Sequence, residues 1–329
     1  MSSTKDLNEI MKLSDKVDIH RLASAGGPPN KRARNEDNDN GIPMFIVLCQ
    51  SIEDIWKQVL KENKDKVIDI NTIELEVRLG MLIMDHERRW RAQRPCNLLT
   101  EGACSTKSLS LHILTTLEFK AGVDEIAIER IKKTLNDKKR FNKRILPIEK
   151  VKIDKDMNRW IVNDDGHLKK GEQKSRIEKN DCALLAHEYD IRIDSNYEVP
   201  ISTTDDSNIS IDHEFKPRSE RIKRRTTYTS ISTEFKSWKI DITEVNSLNF
   251  NDKGVSYGSN HEFEVEFELV DRELFKESTE EKARPIIKHI GTQLYNLINL
   301  FIPSDTAKNP GIHYLLTYYD LFQIKLLLL

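Results

Sequence analysis

Two segments of the chain carry glutamate at every second position. One reads Ile-Glu-Leu-Glu-Val-Arg-Leu-Gly over residues 73–80, and the other reads His-Glu-Phe-Glu-Val-Glu-Phe-Glu-Leu over residues 261–269. Alternate side chains of a β-strand point to the same face. The segments therefore predict two strands, each with one acidic and one apolar face. The acidic faces carry Glu74 and Glu76 on the first strand and Glu262, Glu264, Glu266 and Glu268 on the second.

Carboxylates this close on one face repel each other, so something must compensate their charge. A hard divalent cation would do so, because Mg²⁺ and Mn²⁺ are bound by octahedral sets of oxygen ligands. The alternative is a pair of solvated acidic edge strands, which oppose aggregation without binding a metal. The basic strands described next favour the metal site.

Three further segments alternate in the same way and add basic side chains. They span residues 189–199, 221–228 and 238–245. The charged face of the first strand carries Asp190, Arg192, Asp194, Asn196 and Glu198. The face of the second carries Arg221, Lys223 and Arg225, and that of the third carries Lys239, Asp241 and Thr243. Arginine binds phosphate oxygens as a planar fork and lysine binds them as a point charge. These faces are therefore suited to a chain of phosphates.

All five strands have one charged face and one apolar face. In an open antiparallel sheet the charged face would meet water, and this arrangement is common. Here, however, the charged faces are rich in Glu, Lys and Arg and poor in Ser, Thr and Gln. Closing the sheet into a β-barrel would give a polar lumen and an apolar outside that helices can cover. We therefore predict a closed barrel.

Three segments have the apolar spacing of helices. They run from Ile52 to Leu60, from Asp124 to Leu135, and from Pro285 to Phe301, with Pro285 expected in the first helical turn. The segments between them alternate as strands, apart from loops expected over residues 202–210 and 246–260. The predicted fold class is mostly β with flanking helices, an α+β arrangement.

The composition places the chemistry in a local site. The formal net charge is −2, from 52 basic and 54 acidic residues, so phosphate binding cannot rest on a general basic surface. Residues 1–43 are expected to be a disordered polar tail, and residues 44–329 a single catalytic domain. The tail contains the basic run 29–34, which is either a nuclear-import signal or a solvated charge run.

Other features limit the location of the protein. No run of 18 apolar residues is present, so no membrane association is expected. Asp6, Glu9 and Asp15 interrupt any apolar core of a secretory signal. The four cysteines form no CxxC pair, which predicts buried thiols in a reducing compartment.

At these strands the sequence resembles the fungal-type mRNA 5′-triphosphatases, the metal-dependent capping enzyme beta subunits among the triphosphate tunnel metalloenzymes. Glu74-x-Glu76-x-Arg78-x-Gly80 and Glu264-x-Glu266-x-Glu268 resemble the two metal-binding motifs of the family. Residues 119–123, 190–198, 221–225 and 240–243 are similar to other family segments, in consistent order over residues 44–300.

The resemblance implies a closed eight-stranded antiparallel β-barrel whose glutamate strands hold Mg²⁺ or Mn²⁺ against the γ-phosphate. It implies hydrolysis of triphosphate-ended RNA to a diphosphate end, the first step of mRNA capping. Glu198 would organise the lumen and position the attacking water, and Asp241 and Thr243 would orient the basic groups. Those groups would be Arg221, Lys223, Arg225 and Lys239 and, on two earlier strands, Arg159 and Lys174.

Three features depart from the family pattern. The last strand has four alternating glutamates where the motif has three, which leaves Glu262 or Glu268 as the extra one. Trp160 interrupts the alternation beside Arg159. The docking peptide for mRNA guanylyltransferase is not found, since residues 90–94 are only faintly similar and misplaced. By the resemblance we still expect that partner and a nuclear location, and a homodimer is left open.

Two other functions remain as alternatives. One is a tunnel-fold enzyme for a small triphosphate, such as thiamine triphosphate or inorganic triphosphate. Those chains usually begin with the glutamate motif, whereas here it follows a predicted helix. The other is a non-catalytic module that binds polyphosphate or RNA ends. Such a module could lose its glutamates, yet both glutamate strands are intact.

Overall fold

The computed structural model describes residues 42–65, 69–84, 88–89, 102–105, 117–137, 140–163, 168–184, 187–201, 217–251 and 254–302. The helices in this part of the chain are α1 (Met44–Asp65), α2 (Glu125–Leu135), α3 (Glu273–Lys276) and α4 (Glu280–Phe301). The strands are β1 (Ile42–Pro43), β2 (Ile73–Met84), β3 (Arg88–Arg89), β4 (Gly102–Ser105), β5 (Leu117–Ala121), β6 (Phe141–Ile145), β7 (Glu149–Ile153), β8 (Arg159–Val162), β9 (Leu168–Leu184), β10 (Asp190–Ile201), β11 (Ser219–Ser230), β12 (Trp238–Phe250) and β13 (Ser256–Leu269).

Eight of these strands close into an antiparallel barrel. Pairing around the ring follows the order β9, β10, β2, β13, β12, β11, β7 and β8, and β8 pairs back with β9. The remaining strands extend this ring, because β3 and β5 pair with β2, β6 pairs with β11, and β1 pairs with β4, which pairs with β9. The closed eight-stranded barrel with flanking helices is confirmed.

The hydrophobic core lies between the outside of the barrel and the helices. Val77 of β2 and Phe267 of β13 are opposite each other and fully buried. Phe267 stacks on Phe301 of α4 with ring centroids 5.9 Å apart. Trp238 Nε1 of β12 donates a hydrogen bond of 3.0 Å to the carbonyl oxygen of Ile290 in α4. Because the apolar faces are turned towards the helices, the charged faces line the lumen.

Two sequence predictions about elements are wrong. Helix α4 begins at Glu280, so Pro285 lies inside the helix instead of in its first turn. Acidic residues at the start of a helix interact favourably with its dipole, and Glu280 and Glu281 occupy that place. The loop expected over residues 246–260 is a hairpin in which β12 and β13 stay paired as far as Phe250 and Ser256.

Several expectations fall on parts of the chain outside the described residues. These parts include residues 1–41 with the basic run 29–34, the loop 202–210, and residues 303–329. The division of the chain at residue 43 stays a prediction, and within it Ile42–Pro43 form β1 directly before α1. None of the helices in the described ranges has the length and apolar character needed to cross a membrane.

Candidate active site

The pairing of β2 with β13 brings the two glutamate strands together. Glu268 lies opposite Glu76, and Glu266 lies opposite Arg78. Residues directly opposite in an antiparallel pair share a face of the sheet. Their neighbours on the other face are core residues, so the glutamates of both strands line the lumen and form an acidic wall.

Arg78 holds the centre of this acidic wall. Its guanidinium pairs with Glu76, and its Nε lies 3.0 Å from Glu266 Oε1. Burial raises the pKa of Glu76, and Arg78 compensates this only in part. Burial acts on Glu266 as well, but Arg78, Lys223 and Arg225 outweigh it and lower the pKa of that carboxyl. Glu76 therefore carries a charge that a further cation would stabilise.

Lys174 of β9 joins the acidic wall to Glu198 of β10. Its Nζ lies 3.0 Å from Glu76 Oε1 and 3.4 Å from Glu198 Oε1, and it also pairs with Glu74. Arg159 Nη1 lies 3.7 Å from the same oxygen of Glu198. The structure thus brings all three predicted residues of β8, β9 and β10 into the lumen, Arg159 included.

Strand β11 forms the basic wall of the lumen. Arg221 Nη2 lies 2.7 Å from Glu264 Oε1 and 3.1 Å from Glu262 Oε1. Arg225 Nη1 lies 3.7 Å from Asp241 Oδ2. Glu262 and Glu264 of β13 therefore both contact this basic wall, whereas Glu266 and Glu268 lie opposite residues of β2. Which glutamate of the strand is the extra one, Glu262 or Glu268, stays a prediction from the sequence.

Strand β12 carries the groups that hold the basic side chains. Lys239 Nζ lies 2.6 Å from Glu268 Oε2 and 3.5 Å from Asp241 Oδ2. Thr243 is fully buried and lies opposite Arg225 on one side and Glu264 on the other. Asp241 is therefore placed to orient Arg225 and Lys239, as the resemblance implies, whereas the buried Thr243 Oγ1 makes no hydrogen bond within the described part of the chain.

Lys223 differs from the other cations of the lumen. Among the described residues it makes no ion pair, although Arg221 and Arg225 flank it on the same face of β11. Burial lowers the pKa of Lys223 to about 8, against the opposing effect of Glu264 and Glu266. An anion near its ammonium group would stabilise the charged form.

The sequence prediction gave no role in the site to several residues that share the lumen. Asn196 Nδ2 donates a bond of 3.4 Å to Glu76 Oε1, and Asp194 lies opposite Glu76. Thr227 Oγ1 donates a bond of 2.5 Å to Asp241 Oδ1. The period of two already placed Asp194 and Asn196 on the charged face of β10. The same period continued along β11 would have included Thr227. Glu149 of β7, opposite Lys223, gave no such signal because Val151 and Ile153 share its face.

The lumen has the donor chemistry of a divalent metal site. Its carboxylate oxygens are the ligands that Mg²⁺ and Mn²⁺ prefer. As arranged here, no three Asp, Glu, His or Cys side chains of the described residues converge on one point as a metal site. The ammonium of Lys174 lies between Glu74 and Glu76 instead. The carboxylates are of the right type to bind a divalent metal. The Lys174 ammonium, however, already lies between two of them.

The barrel and its lumen define a class of protein. A closed antiparallel barrel of eight strands, with an acidic wall facing guanidinium and ammonium groups, has the architecture of a triphosphate tunnel. The family model of the mRNA capping enzyme beta chain matches residues 48–302, so the chain belongs to this family of mRNA triphosphatases. The prediction of an RNA 5′-triphosphatase of mRNA capping, a hydrolase, is confirmed.

A solved structure shares the fold at low sequence identity. The chain is similar to the Pct1 RNA triphosphatase of S. pombe, with a TM-score of 0.57, 16% identity, and coverage of 83% of this chain and 98% of that one. The mimivirus capping enzyme triphosphatase aligns with a TM-score of 0.38 and 12% identity, over 76% of this chain and 96% of that one. No curated protein sequence matches the chain significantly.

Proposed function

We propose that the chain removes the γ-phosphate of triphosphate-ended RNA with the help of Mg²⁺ or Mn²⁺ held by the glutamates of β2 and β13. The RNA would keep a diphosphate end, the product required of the first step of mRNA capping. Family membership supplies the reaction class. The assignment of individual residues and of the metal is the proposal.

The observation that carries the proposal is the unpaired ammonium of Lys223 beside two guanidinium groups. A cation in a lumen wall without a counter-ion costs free energy. Arg221 and Arg225 flank it on the same strand face, so the three cations follow one another along β11. A chain of phosphates would supply anions at the spacing of alternate strand residues, whereas Glu264 and Glu266 act on Lys223 without forming an ion pair with it among the described residues.

The acidic wall supports the part of the proposal that concerns the bound divalent metal. Glu268 lies opposite Glu76 across β2 and β13, Glu266 also acts on Glu76, and Glu268 acts on Glu74. A bound divalent cation would neutralise the γ-phosphate oxygens and fix their position. For the cation to reach Glu74 and Glu76, Lys174 has to release them. Its freed ammonium could then pair with phosphate.

The proposed reaction is an in-line attack of water on the γ-phosphorus. The water oxygen forms a bond to phosphorus while the bond to the bridging oxygen of the β-phosphate breaks. Glu198 would position the water and accept its proton. Arg221, Lys223, Arg225 and Lys239 would stabilise the charge that develops on the leaving diphosphate, while the lumen excludes bulk water.

A direct test is the release of labelled γ-phosphate from triphosphate-ended RNA in Mg²⁺, in Mn²⁺ and in EDTA. We expect release with either metal, none in EDTA, and diphosphate-ended RNA as product. Inorganic triphosphate and thiamine triphosphate serve as comparison substrates. Hydrolysis of these without hydrolysis of RNA would favour the small-molecule enzyme. Tight binding of RNA ends without release would favour a binding module.

We also propose that the chain works in the nucleus beside an mRNA guanylyltransferase, which would consume the diphosphate end. A solved structure of S. pombe Pct1 contains the Spt5 CTD, so a structurally similar RNA triphosphatase does bind another protein. A homodimer is a further proposal. Co-purification of the tagged chain with guanylyltransferase activity would test the first partnership, and the molar mass in solution would test the second.

A further inference from the structure

A groove on the outside of the barrel is left uncovered by the helices. It lies between α2 and the turn that joins β6 to β7, over the outward faces of β11, β12 and β13, and has a volume of about 210 Å³. Half of its ten lining residues are apolar, namely Ile145, Leu146, Ile148, Ile242 and Phe263. It belongs to the opposite face of the sheet from the lumen.

The apolar residues of this groove are unusually accessible. Ile145 is 73% exposed and Ile148 is 60% exposed, and both line the groove. Single exposed apolar residues are common, but a concave apolar surface with several of them marks a site that another segment or protein covers. Lys132 and Arg224 lie at its rim, where Arg224 is paired with Glu244 at 3.2 Å.

Helix α4 ends beside the strand that leads to this groove. Phe301 in its last turn contacts Phe141 with ring centroids 6.4 Å apart. Phe141 begins β6, and Ile145 at the groove ends it. Four strand residues span about 13 Å. The nine residues 303–311 that follow α4 could span about 30 Å when extended, so the chain beyond them can reach the groove.

The segment that follows residues 303–311 is rich in apolar residues. Residues 312–329 contain 13 apolar side chains in 18 residues, with tyrosine, leucine, isoleucine and phenylalanine throughout. Removing apolar side chains from water is favourable for both surfaces that meet. The segment has one acidic and one lysine residue, Asp320 and Lys325, so it brings few charges to the apolar half of the groove.

We propose that residues 312–329 dock in the groove between α2 and the β6–β7 turn of the same molecule, in contact with Ile145 and Ile148. The docked segment covers the exposed isoleucines and is itself removed from solvent. The lumen is not involved, so docking leaves γ-phosphate release unchanged.

Limited digestion of the full chain with chymotrypsin tests the proposal, because the segment contains Tyr314, Tyr318, Tyr319 and Phe322. The groove variant combines Ile145→Asp with Ile148→Asp. The control variant combines Ile231→Asp with Val255→Asp, which are 52% and 59% exposed and do not line the groove. We expect cleavage within residues 312–329 to be at least tenfold faster in the groove variant and unchanged in the control.

Phosphate release, unchanged in both variants, shows that the barrel is intact. Equal cleavage rates in the native chain and the groove variant would overturn the proposal. If dilution of the native chain removed the protection of residues 312–329 from cleavage, the proposal would also be overturned, because the segment of a second copy would then occupy the groove. As an independent measurement, a benzoylphenylalanine photo-crosslinker at position 148 should join residues 312–329 within one molecule. Crosslinks that never include this segment would contradict docking.

Discussion

At the scale of the residue, many charged side chains of the lumen contact more than one oppositely charged group. Lys174 contacts three glutamates, and Arg221 contacts two. Asp241 lies near two cations and accepts a hydrogen bond from Thr227. Removing one member of such a network leaves its partners uncompensated, which costs more than the net value of one ion pair. Substitutions that keep side-chain shape therefore separate catalysis from folding best.

Glu76→Gln tests the acidic wall in this way. We expect a loss of γ-phosphate release of roughly 100-fold or more, since a lost metal ligand removes several kcal/mol of transition-state stabilisation. The thermal unfolding midpoint should not fall, because burial raises the pKa of Glu76 and its charge is not favoured by the fold. Glu220→Gln, opposite Lys152 of β7 and outside the lumen, is the matched control. Full activity of Glu76→Gln in Mg²⁺ would remove Glu76 from the metal site.

Arg225→Lys tests the basic wall. A lysine keeps the charge but cannot bind two phosphate oxygens as a planar fork, so kcat/KM should fall by about 10- to 100-fold. The loss should be similar for RNA and for nucleoside triphosphates, which present the same three phosphates. Arg224→Lys is the control, because Arg224 points outward to Glu244 and should keep full activity. Equal activity of the two variants would place Arg225 outside the phosphate path.

The sequence predicts which side chains face the lumen but not which groups they contact. A period of two is enough to place Glu74, Lys223 and Asp241 on charged faces. The opposition of Glu76 and Glu268 depends on the register of strands that are almost two hundred residues apart, which a local pattern does not contain. For the same reason, the three contacts of Lys174 could not be foreseen.

At the scale of the element, the barrel depends on one short strand. Strand β8 has four residues and pairs with β7 on one side and β9 on the other, so it completes the ring. Arg159 on β8 and Lys174 on β9 reach Glu198 from this seam. A defect at the seam should therefore lower both stability and activity.

Gly171→Ala introduces such a defect. A methyl group at Gly171 would lie 2.6 Å from Cζ3 of Trp160, whose Nε1 is held by a 2.9 Å hydrogen bond to Asp154. Overpacking of this kind costs about 1–3 kcal/mol in the free energy of unfolding, and we expect a lower rate of phosphate release as well. Gly258→Ala is the control, because no atom lies within 4 Å of the added methyl group. Chemical denaturation of both variants gives the comparison, and equal stability would show that the seam accommodates a side chain.

Helices and strands with a strong hydrophobic period could be predicted from the sequence. The residues at which they begin and end could not. The stripe that ends at Leu135 gave α2 correctly, with Asp124 as its N-cap. Pro285 misled the prediction for α4, because proline is common in a first turn but does not prevent a helix from beginning earlier. The polar residues 246–250 suggested a loop, yet the backbone pairing of β12 and β13 continues through them.

At the scale of the whole molecule, ring closure gives the charged faces their function. An open sheet would expose the same residues to water, where high dielectric and salt weaken their interactions. In the closed ring, Glu76, Asp194 and Asp241 are buried in the lumen wall. The density of Glu, Lys and Arg on strand faces indicated closure from the sequence. The number of strands came from the family resemblance, because the short β8 has no alternating pattern of its own.

The last prediction concerns the part of the chain before the barrel. Every proposed site residue lies between Glu74 and Glu268, on strands of the closed ring. Deletion of residues 1–41 keeps β1 and α1 and removes none of these groups. We therefore expect kcat/KM for triphosphate-ended RNA to stay within about twofold of the full chain, since changes away from the site rarely alter its energetics. In cells, the deletion should reduce nuclear entry if the basic run 29–34 is an import signal, and replacing Lys31, Arg32 and Arg34 with alanine should have the same effect. A loss of activity in the purified deletion variant would make residues 1–41 part of the catalytic unit. Normal nuclear entry of the alanine variant would leave the basic run as a solvated charge cluster.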